Sequence, residues 1–228
     1  GREYLVKRKD HGRRKYPVIT GNSSLIIKLP APDRKGGRSL MEALWRRKTV
    51  RSISPRTLPL GLLSNLLWAA AGVNRAHGPF GDLGRTAATA SNSQEIKLYV
   101  CLAAGTYLYE PASHILDLVT SQDLRRFAIG RGQGNGADAA VRLVYAVDIA
   151  RYDSAGFPEP GLKKPETQKS YYYSAAGLMA GNVYLFAAAN GLAAWFHNCD
   201  RTALAEKLSL GPGQSALFGQ TVGFPAKS

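Results

Sequence analysis

Arginine, lysine and threonine crowd residues 46–51, Arg46-Arg47-Lys48-Thr49-Val50-Arg51. Several donors in so few residues can hold a phosphate dianion, arginine through a two-pronged geometry and lysine as a point charge. The competing reading is a solvated basic helix end, which the helix dipole favours anyway. A second segment, residues 85–96, runs Arg-Thr-Ala-Ala-Thr-Ala-Ser-Asn-Ser-Gln-Glu-Ile. Its small side chains would let backbone amides approach a flat ligand, and Asn92 and Gln94 could hydrogen-bond to one. Without context it reads equally as a polar loop. A third, Gly130-Arg131-Gly132-Gln133-Gly134-Asn135-Gly136, is glycine-rich. A phosphate-cradling loop needs a helix after it and a Lys-Ser/Thr ending. Here the next segment reads as a strand and no such pair follows, so a flexible loop is the default. The fourth is an apolar stretch ending in Trp195-Phe196-His197-Asn198, which could floor a pocket or simply fill the core.

Other chemistries find little support. No serine sits in a nucleophile-elbow pattern, and no carboxylate pair stands out for acid–base work. Cys101 and Cys199 form neither a disulfide framework nor a zinc spacing, and the four histidines are scattered. Any reaction would therefore be carried by a cofactor.

The positioning elements follow from pattern. Ser39 and Glu42 have capping-box spacing ahead of a helix over residues 40–48. Leu62, Leu63, Leu66, Leu67 and Ala70 give a second helix over 60–71, with Gly72 as its stop and a glycine-rich loop over 72–84. Strands are expected at 25–27, 96–102, 107–109, 143–149, 193–196 and 215–222. Residues 174–189 are apolar on nearly every face, so that helix must be enclosed by protein. Gly177 and Gly181 give it one smooth side where another backbone could approach, and Asn190-Gly191 stops it. Asp200 caps a helix through Leu208. Helices and strands interleave around a hairpin. The fold class is therefore α+β: a central mixed or antiparallel sheet flanked by helices.

The chain has 228 residues and a net charge of +14, enough for one core and a surface that attracts polyanions. Arg2, Lys7, Arg8, Lys9, Arg13, Arg14 and Lys15 crowd a basic N-terminal arm over residues 1–22, leaving one domain over 23–228. Charge runs are usually solvated, so the arm accounts for much of the total. The stretch 175–192 contains Asn182, Asn190 and three glycines, and reads as a buried helix rather than a membrane span. No secretory signal is visible, so the cytoplasm is expected, with export open if a leader preceded Gly1.

Taken in order, these segments resemble the nitroreductase-like flavin mononucleotide (FMN) family, in its azoline-oxidase-like branch. Leu29-Pro30-Ala31-Pro32 and Arg47-Lys48-Thr49-Val50-Arg51 resemble the family's opening Arg-Arg-Ser-x-Arg pattern. Leu66-Leu67-Trp68-Ala69-Ala70-Ala71-Gly72-Val73-Asn74-Arg75 resembles a helix end, and Asn92-Ser93-Gln94-Glu95-Ile96 the loop after the family's Pro-Ser-Ala. Gly105-Thr106-Tyr107-Leu108-Tyr109-Glu110-Pro111 with His114 resembles a glycine–tyrosine hairpin. Asn182-Val183-Tyr184-Leu185-Phe186 with Gly191-Leu192, and Gly223-Phe224-Pro225-Ala226-Lys227, complete the likeness.

The resemblance implies a homodimer joined through long helices, with two flavins at the interface. Arg47, Lys48, Thr49 and Arg51 would hold the FMN phosphate and ribityl chain, and Lys227 would reach the phosphate. Gln133 would face the pyrimidine edge. Ala88, Thr89, Ala90 and Asn92 would approach from the other subunit, and Phe196, His197 and Asn198 would lie near the reactive edge. Ala88 and Thr89 depart from the usual Pro and Ser. The implied activity is NAD(P)H-driven hydride transfer through FMN to a small-molecule acceptor, both substrates using one flavin face. Arg47 or Arg51 would supply charge near N1, and Trp68 and Tyr171-Tyr172-Tyr173 could wall the pocket. Two alternatives stand beside it. One is oxidation of azoline-type peptides, for which no neighbouring Lys–Tyr pair is assignable. The other is a binding module whose basic arm docks nucleic acid or an anionic membrane.

Overall fold

A seven-stranded sheet, antiparallel throughout, forms the middle of the molecule, with strand order β1-β6-β5-β4-β7-β9-β8. The computed structural model describes residues 25–78, 83–133 and 139–226. The basic arm over 1–22 and Lys227 lie outside the described residues, as do residues 134–138 of the glycine-rich loop. The strands are β1 (Ile26–Lys28), β2 (Val73–Arg75), β3 (Gly84–Arg85), β4 (Ile96–Leu102), β5 (Gly105–Glu110), β6 (Ile115–Thr120), β7 (Val141–Asp148), β8 (Ala193–His197) and β9 (Gln214–Gly223). β2 and β3 pair separately as a small ribbon. The helices are α1 (Leu40–Arg46), α2 (Leu60–Ala71), α3 (Pro165–Ala189) and α4 (Arg201–Lys207).

Period-two alternation distributes each strand between two cores. Leu98, Val100 and Leu102 of β4 face α2 and α3, whereas Tyr99 and Cys101 face the opposite layer, where Leu204 of α4 packs. β7 lies at the centre and is buried at all eight positions, which suits its apolar run over residues 143–147. α2 sends Leu63, Leu66, Leu67 and Ala70 into the first core. Each fully buried leucine there contributes about 2 kcal/mol of hydrophobic stabilisation.

Local rules account for the helix ends. The Ser39 hydroxyl accepts from the Glu42 amide at 3.2 Å, half of the expected capping box. The Glu42 carboxylate turns instead to Arg38 and Arg46. Gly72 does stop α2, but in extended backbone with φ −70°. A Cβ there would lie 2.3 Å from Cδ1 of Trp68, so glycine is required by the indole folding back over it. Gly191, after α3, does take the left-handed conformation (φ +69°). The Asp200 side chain accepts from Ala203 and caps α4.

α3 begins nine residues before the apolar run. Its first turns, Pro165-Glu166-Thr167-Gln168-Lys169-Ser170, are polar, with proline at the first helical position. Tyr171, Tyr172 and Tyr173 therefore lie on a helix. Tyr171 donates to Glu159 at 2.7 Å, and Tyr173 packs on Phe218 at 5.6 Å between ring centroids. Trp68, on α2, donates its indole N–H to the Val73 carbonyl at 2.9 Å.

A serine–histidine–tyrosine cluster also forms, with His114 between Ser64 at 2.7 Å and Tyr109 at 2.8 Å. Ser64 is fully buried and donates to the Pro30 carbonyl, so the cluster ties the chain ahead of α1 to the β5–β6 turn rather than acting as a nucleophile.

Candidate functional site

α1 stops at Arg46 because the next residues extend alongside the sheet. The Val50 amide donates to the Ala194 carbonyl at the start of β8, at 3.0 Å. The Ser54 amide reaches Phe224 at 2.8 Å, and the Ala226 amide reaches Ser52 at 3.0 Å. The cationic row is thus held between β8 and the end of β9. Tyr184 of α3 is its hub. The Tyr184 hydroxyl accepts from the Phe196 amide at 2.9 Å and hydrogen-bonds Thr49 Oγ1 at 3.0 Å. The Arg47 guanidinium stands 5.6 Å over the Tyr184 ring, and that of Arg51 5.4 Å over Trp195.

Arg47, Lys48 and Arg51 are exposed, and none is in an ion pair among the described residues. Arg38 and Arg46 instead share Glu42 at 2.7 and 2.8 Å. Those two guanidiniums hold the Glu42 carboxyl below the usual carboxylate range. Beside the row opens a cavity of about 340 Å³. Arg38, Arg46 and Lys48 form its cationic rim; Val50, Tyr184, Ala187, Ala188 and Leu192 form its floor, with Gly191 at one side. A Cβ on Gly191 would meet nothing within 4 Å. Cationic donors over an apolar floor suit an anionic tail on a largely apolar body.

The loop over residues 86–94 is tightly formed. Ser91, Asn92 and Gln94 all have positive φ (49°, 54° and 54°), a conformation that costs L-residues energy and persists only when neighbours enforce it. The Thr89 hydroxyl accepts from the Gln94 amide at 3.0 Å. The Gln94 side chain donates to Leu83 at 2.8 Å and to Asn92 Oδ1 at 3.2 Å, and Asn182 of α3 donates to Thr86 at 3.2 Å. The polar groups that the sequence offered to a ligand thus build the loop. Ala88, Thr89 and Asn92, with Asn74, Arg75 and Arg85, line a second cavity of about 420 Å³; Ala90 begins a short 3-10 turn behind them.

Gln133 and Asn198 come together through Gly130, whose amide donates to the Asn198 carbonyl at 2.7 Å. A Cβ on Gly130 would lie 2.6 Å from Gln133 Oε1 and 3.2 Å from the Asn198 Cβ, so a side chain there would displace the Gln133 amide. Among the described residues, Gln133 Oε1 is buried without a hydrogen-bond partner. A buried acceptor left unpaired is costly, so this position suits a donor. Asn198 is exposed.

Its neighbours on β8 behave differently. Alternation sends Phe196 toward Phe218 (4.8 Å) and Tyr145 (6.0 Å), half-buried. His197 is buried, with Nε2 bonded to Thr221 Oγ1 at 2.7 Å and Nδ1 to the Asn198 carbonyl at 2.9 Å. Burial pulls its pKa down to about 4. The neutral ring therefore donates from Nδ1 and accepts from Thr221, which leaves neither nitrogen for a ligand.

The structure thus gathers Arg47, Lys48 and Thr49 with Phe196 around Tyr184, and Gln133 with Asn198. It does not bring the 88–92 loop to them within one chain. The two cavities share no lining residue. Asn182, which fixes the loop, and Tyr184, which fixes the cationic row, are two residues apart on α3 and so lie about 200° apart around its axis. Tyr184 and Arg38 escaped the sequence reading as site residues. The available signal was a tyrosine within an apolar helix, whose hydroxyl must find a partner when buried. Among the described residues, no group of histidine, cysteine or carboxylate side chains could hold a metal ion, and no helix is long and apolar enough to cross a membrane.

Comparison with known proteins gives a consistent picture. The model of the nitroreductase family matches residues 44–224. A nitroreductase-like protein of Ralstonia eutropha is 37% identical, covers 95% of this chain and 97% of its own, and superposes with a TM-score of 0.81. The Escherichia coli microcin synthetase McbBCD complex contains a chain 15% identical, with coverage of 99% and 85% and a TM-score of 0.67. The NADPH:FMN oxidoreductase of Vibrio harveyi is 17% identical, with coverage of 82% and 69% and a TM-score of 0.57. No curated protein matches the sequence.

Proposed function

Because this chain belongs to the nitroreductase family of flavin oxidoreductases, we propose that it binds FMN between two copies of itself and passes hydride from NAD(P)H to a small-molecule acceptor. Arg47, Lys48, Thr49 and Arg51 hold the phosphate and ribityl chain. Gln133 and Asn198 meet the ring's polar edge, with Phe196 beneath. Ala88, Thr89, Ala90 and Asn92 come from the second copy. When bound, FMN supplies the hydride chemistry, and the protein supplies orientation, charge and exclusion of side reactions. The fixed charges of Arg47 and Arg51 favour an anionic ligand before any reaction begins. The loop, already locked by Thr89 and Gln94, presents its small side chains without further ordering.

One observation carries this reading: the cavity beside the cationic row and the cavity beside the 88–92 loop share no lining residue within one chain. Among the described residues, α3 also has an unpartnered face between them. Ser174, Gly177, Leu178, Gly181 and Leu185 follow helical spacing; Leu178 is 52% exposed, and a Cβ on either glycine would touch nothing within 4 Å. A second copy packed there would bring its loop to the first copy's cationic row. The isologous contact would generate two equivalent sites.

The test is to purify the protein, release and identify any bound flavin, titrate FMN by its fluorescence, and follow anaerobic bleaching at the flavin band on adding NADPH or NADH. Saturable FMN binding with nicotinamide-dependent bleaching supports the proposal. A colourless protein that cannot be loaded with FMN overturns it.

A further inference from the structure

The sheet splits between β4 and β5. Their ladder runs from Leu102↔Gly105 to Tyr99↔Leu108 and stops. Both strands continue: β4 to Ile96, paired only with β7, and β5 to Glu110, paired only with β6. The facing edges of residues 96–98 and 109–110 thus lack ladder partners in the interior of a sheet. A cavity of about 190 Å³ fills the fork. Interior sheet edges are normally paired, because an unmet backbone group away from water is costly.

The side chains around the fork are strongly charged. Arg85 reaches in from β3. One of its terminal nitrogens donates to the Ala71 carbonyl at 3.1 Å, while its Nε is buried without a hydrogen bond among the described residues. Arg151 stands on the opposite rim, held only by a 3.3 Å bond from its Nε to the Ser93 carbonyl among the described residues. Glu110 faces both without a direct ion pair, and Lys97 is already engaged with Asp148 at 2.8 Å. Burial first, and Asp117 second, push the Glu110 carboxyl upward, against the pull of Arg85, Lys97 and Arg151. An incoming anion therefore meets two under-used guanidiniums beside a single carboxyl. Ile96, Leu98, Leu108 and Pro111 supply apolar wall.

We propose that this fork binds a small monocarboxylate with a short apolar body, its carboxylate taken by Arg85 and Arg151, and that binding steadies the 86–94 loop. The coupling has a short path. Arg85 lines both this cavity and the loop's own cavity, Gln94 lines the fork while holding Thr89 and Asn92, and Arg151 bonds the Ser93 carbonyl. The binding claim stands apart from the flavin reading, because every residue it uses lies in one chain.

Butyrate is the probe, titrated into the purified full-length protein by calorimetry at constant ionic strength, with chloride as the balancing anion. Hydrogen exchange of the amides in residues 86–94 is followed in parallel. The expected result is saturable binding, at least tenfold weaker in Arg151→Gln, with slowed exchange in the loop. Arg151 is exposed, so this variant folds; Arg85→Gln is the second variant and should lose binding too. Absence of saturable butyrate binding, or binding by the two variants as tight as by the unsubstituted protein, overturns the site. Binding without slowed exchange overturns the coupling to the loop.

Discussion

Among the described residues Arg47 has no carboxylate partner, so replacing it by alanine breaks no ion pair there and costs only its contact with the Tyr184 ring. Arg47→Ala should loosen FMN by roughly 1.5–3 kcal/mol, the scale of a hydrogen bond to a charged group. Fluorescence titration reads this directly, and an unchanged dissociation constant would remove Arg47 from the site. His197 makes a different prediction. Its folded pKa of about 4 lies below the unfolded value of about 6.5. Above the unfolded value both states are neutral and stability is full. As pH falls toward 4, the unfolded chain binds the proton first and stability is lost, by up to about 3 kcal/mol. Urea unfolding at neutral and acid pH should show this loss, and His197→Asn should be less stable at neutral pH with a shallower acid decline. An equal decline in both proteins would acquit His197. At this scale, residues 47–51 were legible because a cluster of donors is visible in one dimension. His197 was not: its placement depends on Thr221 and on the Gly219 backbone, where a Cβ would lie 2.7 Å from the imidazole Cε1.

Elements declared themselves where apolar period and end signals agreed. α2 matches the expected bounds, and α4 and β9 differ by a residue at their ends, because leucine spacing, Asp200 and alternation are local signals. Expected helix through Lys48, α1 ends at Arg46, because hydrogen bonds to β8 outcompete the next helical turn. β6 was missed; it follows a turn in which His114 takes φ +52°, set by tertiary bonds to Ser64 and Tyr109 rather than by a glycine. The first nine residues of α3 were missed because their polar face carries no hydrophobic period. The open face of that helix yields the element-scale prediction. Leu178→Glu should leave the subunit folded, with an unchanged urea midpoint, yet weaken self-association by at least roughly 100-fold, since an unpaired charge would have to be buried. Light scattering measures the mass, and flavin should be lost with the dimer. A variant that stays dimeric would place the interface elsewhere.

The whole molecule sets the cationic row and the strained small-residue loop on opposite sides of α3. No sequence pattern announces that division. It follows from Asn182 and Tyr184 pointing to different sides of one helix, which becomes visible only when the partners of both are known. Subunit mixing tests it most directly. One chain carries Arg47→Ala with Arg51→Ala, and the other Ala88→Trp, which fills the loop cavity. Each alone should bind FMN poorly. In mixed dimers the intact row of one chain meets the intact loop of the other, so about one high-affinity FMN site per dimer should return. Mixed dimers that recover no FMN binding would show that each site is built within a single chain and would contradict the account.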